Sequence, residues 1–162
     1  MNKQEIYGLL AARNMWYEVT EHIAVYNMED LAAVFIPYPE ADAKNLFVRD
    51  DKKQNYYLIT VKGNKRVDLR EFRRKNGTRN LSFASPADLE ERLSLIPGAV
   101  TPLGLLNGGA EQVHFFLDRD FFTGDGLIGV HPNDNTATVF MKTEDLVALL
   151  SENGYTVNIF EV

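Results

Sequence analysis

Four stretches of the chain hold residue types that could do chemistry. Lys44 opens the run Lys44-Asn45-Leu46-Phe47-Val48, a cation at the head of an apolar segment. An ammonium so placed can point into a pocket between a sheet and a helix, where it would hold a phosphate or polarise a carbonyl. The plainer alternative is an exposed lysine at a strand end, and the residues alone favour it. His131 closes an apolar run and is followed by Pro132-Asn133-Asp134-Asn135. Strand ends and loops are where functional groups are presented, so a functional and a structural role stand level. Gly98-Ala99-Val100-Thr101-Pro102-Leu103-Gly104 can bring backbone close to a ligand, or can be an ordinary tight connection. Residues 62–79 carry eight basic against two acidic side chains, a net of +6 that leaves −12 on the rest of a −6 chain. A phosphate backbone would fit such a segment, as would a solvated helix face.

Other chemistries are excluded. With no cysteine there is no disulfide, thiol nucleophile, zinc ribbon or iron–sulfur cluster. No serine lies in G-x-S-x-G, and His22, His114 and His131 have no metal-pair spacing. His114, inside Val113-His114-Phe115-Phe116, reads as a structural strand histidine. Gly124-Asp125-Gly126-Leu127-Ile128-Gly129 matches G-x-G-x-x-G, but a dinucleotide site needs a helix after the glycines. Pro132 forbids one here, so a turn into a strand is expected. No cofactor and no metal are expected.

These residues must be positioned by a fold, and 162 residues with 45% apolar content suffice for one domain over 1–162. No apolar stretch reaches the ~20 residues of a membrane span, and no apolar region follows Met1–Glu5 as in a signal peptide. The expectation is a soluble cytoplasmic protein with no membrane partner. An acidic pI near 5.1 argues against coating nucleic acid by bulk charge, though a local basic patch remains open.

Helical and strand patterns alternate. Asn2 with Glu5 predicts a capped first helix, and Trp16–Thr20 a strand. Asn27, with Asp30 three residues on, predicts a short helix ended by Pro37 and Pro39. Asn45–Arg49 and Tyr56–Val61 read as a hairpin around the polar residues 50–54. Helices follow over Asp68–Lys75 and from Ser85 to about Leu95. Strands are predicted over Val113–Asp118, Leu127–Val130 and Thr136–Met141. A last helix opens at Thr143 and stops at Gly154, and Tyr155–Phe160 closes as a strand. The class is α+β, with a mixed sheet or an open barrel.

Taken together, Lys44-Asn45-Leu46-Phe47, Tyr57-Leu58-Ile59-Thr60, Gly98 to Gly104 and Val130-His131-Pro132-Asn133-Asp134-Asn135-Thr136 resemble the YbaK/ProX family. These are aminoacyl-tRNA deacylases related to the editing domain inserted in bacterial prolyl-tRNA synthetases. The K-N-L-F and H-P-N-x-N-T stretches look like the ProX (PrdX) branch, the free-standing alanyl-tRNA(Pro) deacylases. The resemblance implies a mostly antiparallel mixed sheet curled into a partial barrel with helices around it. It implies a trans-editing hydrolase that cuts the ester joining alanine to tRNA(Pro), with the acceptor end of that tRNA as partner and prolyl-tRNA synthetase as a possible second. Lys44 matches the lysine whose loss abolishes activity in the family. Asn45 and His131 match active-site positions, and Gly98 and Pro102 match residues that shape the amino-acid pocket, with Thr101 between them. Lys62, Lys65 and Arg66, which flank Gly63, are expected to hold the acceptor stem. A deacylase for cysteine or serine on tRNA, and a non-catalytic aminoacyl-tRNA binding module, are the alternatives.

The task has a physical logic. A pocket built for proline rejects the smaller alanine weakly, since each missing methylene is worth only about 1–3 kcal/mol. A second site that admits alanine and excludes proline by size completes the discrimination.

Overall fold

The computed structural model describes residues 1–24 and 36–162. The short helix expected from Asn27 falls outside the described residues. Helix α1 (Lys3–Ala12) starts where expected. The Glu5 amide donates to Asn2 Oδ1 at 2.9 Å and the Asn2 amide to Glu5 Oε1 at 3.2 Å, a reciprocal capping box. Strand β1 (Tyr17–Glu21) follows, and after a 3-10 turn at Pro39–Ala41 comes the hairpin of β2 (Ala43–Asp50) and β3 (Tyr56–Lys62). Helix α2 (Leu69–Asn76) is capped by the Asp68 carboxylate and ended by Gly77 in the left-handed region. Then come β4 (Leu81–Phe83), α3 (Pro86–Leu93), a 3-10 helix at Pro102–Asn107, and β5 (Val113–Asp118). A 3-10 helix at Arg119–Phe122 leads to β6 (Leu127–Val130), β7 (Ala137–Lys142), α4 (Thr143–Glu152) and β8 (Val157–Phe160).

The strands form two sheets. One has the order β1-β7-β6, all antiparallel. The other has the order β4-β2-β3-β5-β8, antiparallel through β4-β2-β3 and parallel through β3-β5-β8. The expectation of one mixed, mostly antiparallel sheet holds in its strand directions, but the hydrogen bonding divides it in two. Strand β4 has no counterpart in the sequence reading. It is three residues long and packs only one side, so it lacks a periodic pattern. Helix α3 stops at Leu93, two residues short of expectation, because Ser94 turns left-handed with φ +55°.

The main core lies between the sheets. Phe47, Leu58, Phe115 and Leu117 face Ile128, Val130, Val139 and Met141, with Ile6 and Leu10 of α1 and Leu146, Leu149 and Leu150 of α4 closing the ends. A smaller core of Val48, Ile59, Val61 and Phe72 fills the other face of the five-stranded sheet beneath α2. Side chains alternate along a strand, so Phe47 enters the first core and Val48 the second. The same alternation carries back up β2, placing Asn45 on the main-core side and Lys44 on the α2 side. The glycines after Thr123 behave as a turn. Gly124 and Gly126 have φ +59° and +64°, and β6 follows directly, so no helix N-terminus exists there for a pyrophosphate. No helix among the described residues is long and apolar enough to cross a membrane.

Candidate active site

The heads of β2 and β3 lie side by side, with Lys44 opposite Val61 and Asn45 opposite Thr60. Thr60 is fully buried, and its hydroxyl donates to Asn45 Oδ1 at 2.6 Å. That bond fixes the amide with its nitrogen left to donate elsewhere. The Lys44 ammonium donates to the backbone carbonyl of Lys65, in the turn between β3 and α2. Lys44 and Asn45 therefore diverge from one strand head, one toward that turn and the other toward the main core.

Asp42 stands just before β2, and its carboxylate is partly buried against Gly63. A β-carbon on Gly63 would lie 2.3 Å from Asp42 Oδ2, so the close approach requires glycine there. Burial pushes the Asp42 carboxyl above the ordinary value, partly offset by the Ala43 amide and by His131.

His131 ends β6. Its Nδ1 meets the Ala137 carbonyl at 2.9 Å, and a carbonyl only accepts, so Nδ1 carries the hydrogen and Nε2 keeps its lone pair. Burial lowers the His131 pKa and proximity to His22 adds to that. The Ala137 carbonyl, Asp134 and Asp42 oppose it. The two imidazoles meet edge to face at 6.1 Å, and His22 Nε2 accepts from the Thr138 hydroxyl at 3.0 Å. The loop after His131 is pinned by local bonds. Thr136 N donates to Asp134 Oδ1 at 2.8 Å, and Lys3 Nζ reaches the Thr136 hydroxyl at 3.0 Å. Asn135 is 6% exposed, and its amide nitrogen has no partner among the described residues.

Gly98 is exposed with φ +89°, whereas Thr101 and Pro102 are buried. The Thr101 hydroxyl caps the 3-10 helix by accepting from the Leu103 amide at 3.3 Å, and Pro102 occupies the first helical position. At the far end of that helix Asn107 Oδ1 accepts from Asn133 Nδ2 at 3.2 Å, so the glycine–proline loop and the loop after His131 are joined.

The basic segment divides into two groups. Lys65 Nζ bridges Asp118 at 2.9 Å and Asp120 at 2.7 Å. Burial would pull its pKa down, but the bonds from the two carboxylates raise it. Lys62 donates to the Glu40 carbonyl at 2.5 Å and sits 5.0 Å above the Phe121 ring. Arg66, Arg70, Arg73 and Lys75 are exposed, and none forms an ion pair among the described residues. Arg74 and Arg79 are paired with Glu71 and Asp51.

Asp42 and Thr60 escaped the sequence reading as site residues. Asp42 carried a signal, because it lies two residues before Lys44 and a strand repeats every two residues. Thr60 lay within a matched stretch, but its role depends on register. His114 occupies the structural place expected of it, with Nε2 3.1 Å from Asn55 Oδ1 and its ring stacked on Tyr57.

Residues 22–149 match the family model described as an aminoacyl-tRNA editing domain. The chain is 36% identical over 160 residues to the prolyl-tRNA editing protein ProX of Acetoanaerobium sticklandii, covering 99% of this chain and 97% of that protein. It is 33% identical over 151 residues to the prolyl-tRNA synthetase associated domain-containing protein 1 of Mus musculus, covering 91% and 87%. Among solved structures, a proposed trans-editing enzyme for prolyl tRNA synthetase superposes with a TM-score of 0.69 at 22% identity, over 99% of this chain and 96% of that one.

Proposed function

The chain belongs to the aminoacyl-tRNA editing domain family and is an aminoacyl-tRNA deacylase, and on that premise we propose that it hydrolyses alanine from mischarged tRNA(Pro), with residues 1–162 acting as one editing domain. On this reading the two sheets, closed over their shared core, serve as the partial barrel. The protein works in the cytoplasm, on the acceptor end of the tRNA and beside prolyl-tRNA synthetase.

The observation that carries the reading is the head of β2. One strand end offers an ammonium and an amide, the first steered by the Lys65 carbonyl and the second by Thr60. Lys44 exchanges that carbonyl for the ester carbonyl oxygen or the terminal phosphate of the substrate. Asn45 donates its free amide to the bound aminoacyl group. Water attacks the ester carbon, the bond to the ribose oxygen breaks, and a proton passes to that oxygen, aided by the neighbouring ribose hydroxyl. The ester is already activated relative to a peptide, so positioning and charge stabilisation suffice. His131 accepts from water or substrate through Nε2 and orients it. Amides around Gly98 take the developing oxyanion. The Ala99 amide is excluded from that role, being bonded to the Ile96 carbonyl at 3.1 Å. Gly98 and Pro102 shape the pocket, and Thr101 holds that loop in place. Lys62, Lys65 and Arg66 border the entrance and meet the acceptor stem.

A deacylation panel with Ala-, Ser-, Cys- and Pro-tRNA(Pro) tests the reading, with Lys44→Ala as control. Rapid release of alanine, sparing of proline and loss of activity in Lys44→Ala are expected. Wild-type rates in Lys44→Ala would overturn the site, and faster release of serine or cysteine would overturn the substrate. Binding without turnover on every member would make the protein a carrier.

A further inference from the structure

We propose that Asp42 is the anchor for the α-ammonium group of the esterified amino acid, an inference that rests on the deacylase reading. Asp42 immediately precedes β2 and Lys44 is the second residue of that strand. Both are set against one turn. The Asp42 carboxylate lies over Gly63, whose amide donates to the Asp42 carbonyl at 2.9 Å, and the Lys44 ammonium meets the carbonyl of Lys65. A cavity of about 640 Å³ opens at this turn, lined by Asp42, Lys62, Gly63, Lys65 and Asp120 among others.

The two lysines that line this cavity with Asp42 are occupied. Lys65 serves Asp118 and Asp120, and Lys62 serves the Glu40 carbonyl and the Phe121 ring. Among the described residues no lysine or arginine pairs with Asp42. A partly buried carboxylate without a cation is costly to keep charged, and its raised pKa is the sign of that cost. The substrate supplies what is missing. Its α-ammonium is attached to the carbon next to the ester carbonyl, so a site that holds the carbonyl at Lys44 presents the ammonium within a few ångströms. A carboxylate and an ammonium two residues apart match that pair of groups in order and in charge. The requirement for glycine at position 63 follows, because any side chain there would push the carboxylate out of place.

The test compares alanyl-tRNA(Pro) with N-acetylalanyl-tRNA(Pro), which lacks the ammonium charge. Wild-type protein is expected to prefer the free amine in kcat/KM. In Asp42→Asn the rate on alanyl-tRNA should fall at least tenfold while the rate on the acetylated substrate stays, so the preference collapses. Gly63→Ala should give the same collapse by displacing the carboxylate, with the backbone of Asp42 unchanged. A preference that survives intact in both variants means that the acetyl group is excluded by size or the amine is read elsewhere, and overturns the inference while leaving the deacylase reading in place. Release of alanine from neither substrate by wild-type protein overturns that reading, and the inference with it.

Discussion

Thr60 donates its hydroxyl hydrogen to Oδ1 of Asn45 at 2.6 Å, across the register position where β2 and β3 bring the two residues opposite each other. The bond is a side-chain pair within an antiparallel ladder, and one partner is completely buried. It joins a core position to a candidate substrate contact. Thr60→Val keeps the shape and deletes the donor. The expected cost is about 1 kcal/mol of stability, read from the midpoint of a urea titration. Activity should fall by a larger factor than stability alone explains, since the Asn45 amide is then free to rotate. A variant that loses stability but keeps wild-type kcat/KM would mean that Asn45 is not held for the substrate by this bond.

Much of this arrangement was readable in advance, for identifiable reasons. The capping box at Asn2 and the helix start at Ser85 are local, each settled within four residues, and both appear at the expected positions. The hairpin of β2 and β3 was equally local. The division of the strands into two sheets was not, because it depends on which distant edges pair, as β1 with β7 and β3 with β5. Within the site, Lys44 and His131 stood out by position. Asp42 showed only its spacing from Lys44, because its significance depends on the close approach of Gly63 in the turn after β3. Lys65 has a second, structural role that its sequence does not show. In sequence it is one of eight basic residues, and only the fold reveals the two carboxylates that bind it.

The Lys65 bridge predicts a division within the basic segment. Asp118 is fully buried and accepts from the Lys62 amide, the Asp120 amide and Lys65. Lys65→Met removes its only side-chain cation among the described residues. Breaking a buried pair from one side typically costs about 3 kcal/mol or more, so the melting temperature should drop markedly. Arg66→Met, at an exposed residue with no ion pair among the described residues, should leave it unchanged. Equal melting temperatures for the two variants would show that the Lys65 bridge contributes nothing to the fold.

His131 predicts a pH dependence of stability. Burial first, then repulsion from His22, hold its folded pKa below the ordinary 6.5, while Asp42 and Asp134 pull the other way. In the unfolded chain it titrates near 6.5, so over this range the unfolded state binds more protons. Stability therefore rises with pH through the window. The contribution of a neutral, buried His131 is complete above about 6.5 and is lost as pH falls toward the folded value. His131→Gln should flatten this part of the profile. The check is the wild-type minus variant difference in unfolding free energy at about pH 7.5 and about pH 5.5, where a difference that does not shrink on acidification would contradict the assignment.

The exposed face of α2 predicts how the tRNA is gripped. Arg66, Arg70 and Arg73 are exposed along the helix and the turn that leads into it, and they make no ion pair among the described residues. That turn receives the Lys44 ammonium, so the row of guanidinium groups starts beside the candidate site and runs away from it. An eight-residue helix is about 12 Å long, enough to follow several phosphates of an acceptor stem whose end lies at Lys44. Exchanging both Arg70 and Arg73 for Glu should raise KM for aminoacyl-tRNA at least tenfold and leave kcat and the melting temperature nearly unchanged, because neither side chain is packed. The dependence on salt gives a second check. Each phosphate contact on duplex RNA releases counterions, by analogy with a slope of about −0.9 per contact on B-form DNA. The slope of log(kcat/KM) against log salt should become shallower by roughly one for each arginine that meets a phosphate. A double variant with unchanged KM and unchanged salt slope would place the stem on another face and leave Lys62 and Arg66 as the contacts to test next.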